Sequence, residues 1–160
     1  MLTERAWKSS MASDQYRSLS PEAVLATLRS LPRRYRAELF ADPSIDVTRA
    51  AAGIVGAAAR ITALADAVHQ TAVLDHPSVQ TDGAAAGGET SIEQALAALD
   101  AAVAHAAQII DDLPTEAWSR TASVKGAQRT VLELAQDCAR AGAEHLRELT
   151  ALLNQPKPDH

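Results

Sequence analysis

Aromatic side chains are scarce in this 160-residue chain, which has two tryptophans, two tyrosines and one phenylalanine. Strands lean on aromatic and β-branched pairs, so an all-β domain is excluded. Cysteine occurs once, at Cys138. That rules out an internal disulfide framework and any zinc site built from cysteine alone, and it suits a reducing compartment. Basic residues are outnumbered, 15 Lys and Arg against 20 Asp and Glu, for a net charge of −5 and a pI near 5.5. A non-specific nucleic-acid binder needs a basic face, so nucleic acid is not an expected partner. No run of uncharged apolar residues reaches the ~18 that a membrane span needs, and the first residues lack a signal-peptide pattern. A cytoplasmic protein with no membrane partner is expected.

Alanine fills the place of the missing types, with 35 residues. Together with 47% hydrophobic and 22% charged residues, it describes one folded core of close-packed helices. The expected domain covers residues 20–154, with an N-terminal extension at 1–19 and a flexible tail at 155–160.

Hydrophobic spacing divides that domain into four helices. The first opens at Ser20-Pro21-Glu22, a capping serine followed by proline at the first helical position and an acid in the first turn. Leu25, Leu28, Leu31, Tyr35 and Leu39 give it one apolar face, and Pro32 predicts a kink or short break. Asp42-Pro43-Ser44-Ile45-Asp46 is turn chemistry, with Ser44 or Asp46 as the cap of a second helix running to about Val73. That helix is small-sided from Ala50 through Gly53 and Gly56 to Ala59, and each glycine costs about 1 kcal/mol against alanine. Either close helix approach or room for a ligand must offset this cost.

A long connection follows from about Leu74 to Thr90, with His76-Pro77, Asp82-Gly83 and Gly87-Gly88. Extended, it reaches roughly 53 Å, more than the roughly 40 Å of the second helix, so it can return along the whole bundle. The third helix is capped by Thr90 or Ser91, with Glu93 and Gln94 nearby, and stops at about Leu113 before Pro114. A loop holding Trp118, expected to cover the bundle end, and Gly126 leads to a fourth helix. This starts near Thr130 with Glu133 at capping-box spacing. The expected fold class is all-α, a four-helix bundle of up-down-down-up topology with a long crossover between helices two and three.

Three stretches carry a resemblance to a known family. They are Val47-Thr48-Arg49-Ala50-Ala51-Ala52-Gly53-Ile54-Val55-Gly56-Ala57-Ala58-Ala59-Arg60-Ile61, then Asp75-His76-Pro77-Ser78, and Thr130-Val131-Leu132-Glu133-Leu134 leading to Glu144-His145-Leu146. Together they resemble the DinB-like (DinB/YfiT-like) superfamily, related to mycothiol-dependent maleylpyruvate isomerase-like proteins, over roughly residues 20–153. The resemblance implies a bundle that commonly forms a homodimer and holds a divalent metal by three histidines, one on helix two and a His-x-x-x-His pair on helix four. Several members are thiol-dependent transferases or isomerases. His145 matches the second histidine of the pair, while Ala141 stands at the first and Gly56 at the helix-two position.

Helix rise tests this without the family. In the expected topology His69, His105 and His145 lie roughly 33, 21 and 9 Å above the base, too far apart to share one ion. Gly56 and Ala141 fall at nearly equal heights, roughly 14 and 15 Å. Either the helices close together there, or a cavity remains, lined by Ala, Val and Leu with His145 near one end. Asp137, also on that face, lies eight residues from His145, roughly 12 Å, and is expected to be solvated or paired with Arg140 or Arg60. Cys138 reads as inert packing and Arg33, Arg34 and Arg36 as a solvated, salt-bridged face. The candidate ligand pocket is therefore Gly56, Asp137, Ala141 and His145. The expected protein is non-catalytic or binds a small apolar or thiol ligand, without a cofactor, most simply as a homodimer. The alternative is a thiol S-transferase or isomerase of the mycothiol type, with Zn or Ni held by His145 and His76 or a partner subunit.

Overall fold

The computed structural model describes residues 15–41, 47–83 and 90–153. Among them are four long helices: α1 (Pro21–Phe40), α2 (Val47–Val73), α3 (Ile92–Asp111) and α4 (Val131–Leu153). A 3-10 turn (Thr115–Ser119) and a hairpin of β1 (Thr121–Val124) and β2 (Ala127–Thr130) lie between α3 and α4. The chain is mostly helical, as an all-α class requires, and the hairpin is the departure from it.

The helix starts follow the capping chemistry. Ser20 accepts a hydrogen bond from the Ala23 amide at 3.2 Å. Ser91 and Gln94 form a complete capping box, each side chain bonded to the other's backbone at 3.1 Å. Thr130 and Glu133 do the same for α4, at 3.0 and 3.1 Å. The two proposed caps of α2, Ser44 and Asp46, lie outside the described residues.

No break occurs at Pro32, where α1 runs on as one helix. An internal proline costs about 3 kcal/mol. Val24, Leu28, Leu31, Tyr35 and Leu39 on its inner face are all buried, and each such side chain returns about 1.5–3 kcal/mol on burial, so the continuous face outweighs the lost donor.

Helix α2 packs against α3 and α4, and α1 against the same two. The core between them mixes large side chains, such as Tyr35, Ile54, Ile61, Leu99 and Leu134, with buried alanines on three of the helices. By length and composition α2 could cross a membrane, but half of that span is buried inside the fold, as in a core helix.

The stretch expected as loop after Pro114 is ordered by pairing. Lys125 and Gly126, both at positive φ (51° and 83°), form the two-residue turn, with Val124 opposite Ala127. The long connection joins this hairpin. Ser123 donates to the Pro77 carbonyl and the Val79 amide to the Ser123 carbonyl, both at 2.9 Å, as a parallel bridge between Ser78 and Ser123. Lys125 pairs with Asp82 at 2.8 Å, and Gly83 then lies so close to the Ala59 and Arg60 backbone that a Cβ would collide with it. Trp118 is half-buried against the core at this end.

Residues 15–19, placed on sequence in the extension, pack on α4. Tyr16 is buried, the buried Gln136 amide donates to the carbonyls of Arg17 and Leu19 at 3.0 and 2.9 Å, and Arg17 pairs with Asp137. The domain boundary drawn at residue 20 thus falls inside the packed unit.

Candidate functional site

The site grows from a buried tyrosine. Tyr35, on the inner face of α1, donates its hydroxyl proton to the Gly142 carbonyl at 3.0 Å, and its oxygen lies 2.7 Å from His145 Nδ1. The two rings stack at 5.6 Å, 19° from parallel. Glycine at 142 permits this approach, since a Cβ there would run into Leu31 and Ile61.

The hydroxyl has a single proton and a carbonyl can only accept, so the proton between Tyr35 and His145 belongs to the imidazole. Burial and, less strongly, Glu148 push the Tyr35 pKa far up, keeping it a phenol. Burial lowers the His145 pKa, against a smaller upward pull from Glu148, so the ring is neutral at pH 7. Nδ1 carries hydrogen and Nε2 carries the lone pair.

That lone pair faces Gly53 of α2. A Cβ at Gly53 would stand 2.8 Å from Nε2 and cover it. Among the described residues no hydrogen bond engages Nε2, and no buried side-chain nitrogen or oxygen lacks a partner. Nε2 therefore opens onto a cavity.

This cavity, of about 350 Å³, lies between α2, which contributes Gly53, Gly56, Ala57 and Arg60, and α4, which contributes Arg140, Ala141, Glu144, His145 and Glu148. A second, of about 230 Å³, shares Gly53, His145 and Glu148 and extends toward Arg49 and Leu152. His145 stands where the two meet.

Three of the four residues read from sequence, Gly56, Ala141 and His145, thus line one cavity. Asp137 does not; it pairs with Arg17 at 3.0 Å and Arg140 at 3.3 Å. Arg140 was among its expected partners, whereas Arg60 lines the cavity instead. The two glycines of α2 divide the alternatives between them. Gly53 is required by close approach to His145, while a Cβ at Gly56 would meet nothing within 4 Å and would project into open space. The expected apolar wall of Ala, Val and Leu is corrected, because Arg60, Arg140, Glu144 and Glu148 bring charge to the lining.

A three-histidine metal centre, which the DinB resemblance implies, does not fit these residues. Glycine and alanine at 56 and 141 offer no donor, and among the described residues no group of three or more His, Cys, Asp or Glu could hold an ion. The other described histidines are elsewhere. His76 bonds Thr121 at 3.0 Å beside the hairpin, His105 pairs with Asp66 at 2.8 Å, and His69 is exposed on α2. His76 follows the far end of α2, about 20 residues or roughly 30 Å from Gly53 by helix rise, so it does not join His145 within one chain. Cys138 is fully buried with Sγ 3.9 Å from the Ile61 carbonyl, and burial raises its pKa, so its thiol is not a nucleophile.

Tyr35 and the uncovering role of Gly53 were not foreseen. The available signal was that a tyrosine on an apolar stripe must find a partner for its hydroxyl once buried.

Compared with models of known families, with curated proteins and with solved structures, the chain matches none of them.

Proposed function

We propose that this chain is a DinB-like four-helix bundle in which the family's metal position has become a small-molecule pocket, and that it acts as a binding protein rather than an enzyme. The up-down-down-up course belongs to this proposal. It is supported by neighbours that run in opposite order on α2 and α4 (Gly53 with His145, Ile61 with Cys138) and in the same order on α1 and α4 (Leu31 with Gly142, Tyr35 with His145). The long connection from Leu74 to Thr90 supplies the crossover such a course needs.

The observation that carries the functional reading is that Gly56 and Ala141 line the same cavity as His145, so the two missing imidazoles would have occupied that space. A second copy of the chain is the proposed partner. The exposed alanines Ala97, Ala101 and Ala104 along α3 offer it a flat surface.

Metal content of untagged protein, followed by Zn²⁺ and Ni²⁺ titration, tests the proposal. Binding below one ion per chain and unaffected by His145→Ala is expected. Stoichiometric binding abolished by that substitution would overturn it in favour of a metal-dependent thiol transferase. A thermal-shift screen of small molecules, thiols included, should find at least one that raises Tm, because a ligand of the folded state stabilises it.

A further inference from the structure

The lining of the larger cavity specifies its ligand more narrowly than its size does. His145 Nε2 is the acceptor in the tautomer that both contacts of the Tyr35 hydroxyl require, with its proton on Gly142 and its oxygen facing Nδ1–H. A ligand group facing it must therefore donate. The charges are ordered along the groove. Arg140 lies one helical turn before Glu144 and two before Glu148, roughly 6 and 12 Å along α4. Across from them, Arg60 stands one turn beyond Gly56 on α2. Arg140 is shared with Asp137, but no ion pair among the described residues engages Arg60, Glu144 or Glu148.

An apolar guest would strip water from these charges without replacing it, which is costly. A purely anionic or purely cationic guest would satisfy one end and leave the other facing a like charge. The volume of about 350 Å³ lies at the small end of ligand sites, enough for a molecule of amino-acid size.

We infer that this cavity binds a small amino carboxylate, with its carboxylate at Arg60 and Arg140, its ammonium at Glu144 and Glu148, and an N–H donated to His145 Nε2. Gly53 is the residue that keeps this acceptor uncovered. The inference rests on the proposed small-ligand reading and narrows it to one chemical class.

Calorimetric titration of the full chain with glycine, β-alanine and 4-aminobutanoate, alongside butanoate, butylamine and thiophenol, tests it. At least one amino carboxylate is expected to bind about tenfold or more tighter than butanoate and butylamine. Arg60→Gln, an exposed substitution that leaves the core untouched, should weaken that binding about tenfold, and Gly53→Ala should abolish it. If Gly53→Ala fails to fold, Arg60→Gln and Glu148→Gln carry the test, each expected to weaken binding severalfold. Butanoate or butylamine binding as tightly as the amino carboxylates, or binding indifferent to Arg60→Gln and Glu148→Gln, overturns the inference. Binding of thiophenol alone overturns it while leaving the small-ligand reading standing. Failure of all six probes, and of the wider thermal-shift screen, removes both.

Discussion

Tyr35 and His145 depend on each other, because the hydroxyl that fixes the imidazole is itself fixed by the Gly142 carbonyl. Tyr35→Phe leaves the Nδ1–H without its acceptor, while the Gly142 carbonyl keeps its place in the α4 ladder. A buried polar group so abandoned costs about 1–3 kcal/mol, and a loss in that range is expected in the denaturant midpoint. The ring should then also populate the other tautomer, visible in its ¹⁵N shifts. His145 further sets a pH dependence. Its folded pKa is lowered by burial from the ordinary value near 6.5, so below that value the unfolded chain binds more protons than the folded one. Stability is thus full above about pH 6.5 and is lost as pH falls toward the lower folded pKa. Urea titrations between pH 7.5 and 5 should show this slope, and His145→Asn should flatten it. At this scale the sequence was half-legible. His145, Gly56 and Ala141 could be aligned by pattern and height. Tyr35 looked like any apolar stripe residue, because its hydroxyl acts across 110 residues of chain.

Helices were the most legible elements, since caps and periodicity are local. Ser20, Ser91 and Thr130 mark three starts that the structure repeats through hydrogen bonds. The hairpin was not read, because Lys125-Gly126 is a weaker turn signal than Asn-Gly and two of the hydrogen bonds that hold it come from Pro77 and Val79 in the distant connection. Glycines within helices now separate by surroundings. Gly56→Ala adds a methyl to open space and should raise stability by about 0.5–1 kcal/mol, while reducing the cavity. Gly142→Ala forces its methyl into Leu31 and Ile61 and should lower stability by about 1–3 kcal/mol despite the better helix propensity. Thermal melts of the two variants, moving in opposite directions, check the assignment.

For the molecule as a whole, the all-α class followed from alanine excess and aromatic scarcity, whereas its limits did not. Residues 15–19 read as part of an N-terminal extension because Tyr16 and Leu19 are too few to show a helical period in otherwise polar sequence. Deleting residues 1–19 removes the buried Tyr16 and both hydrogen bonds that the Gln136 amide makes. An expected loss of about 2–4 kcal/mol, read from chemical denaturation, follows from the buried area and the orphaned amide. Should a second copy dock on α3, Ala101→Glu ought to shift the chain to monomer in sedimentation without altering its helix content.

The contact between Arg17 and the Glu133 carbonyl spans 116 residues. At ribosomal rates of about 5–20 residues per second, the partner emerges roughly 6–23 s after Arg17 does. Helix α1 of a nascent chain therefore keeps the part of its apolar face that packs on α4 uncovered until α4 is made, α3 covering the rest earlier, and a chaperone that shields such faces has its longest opportunity there.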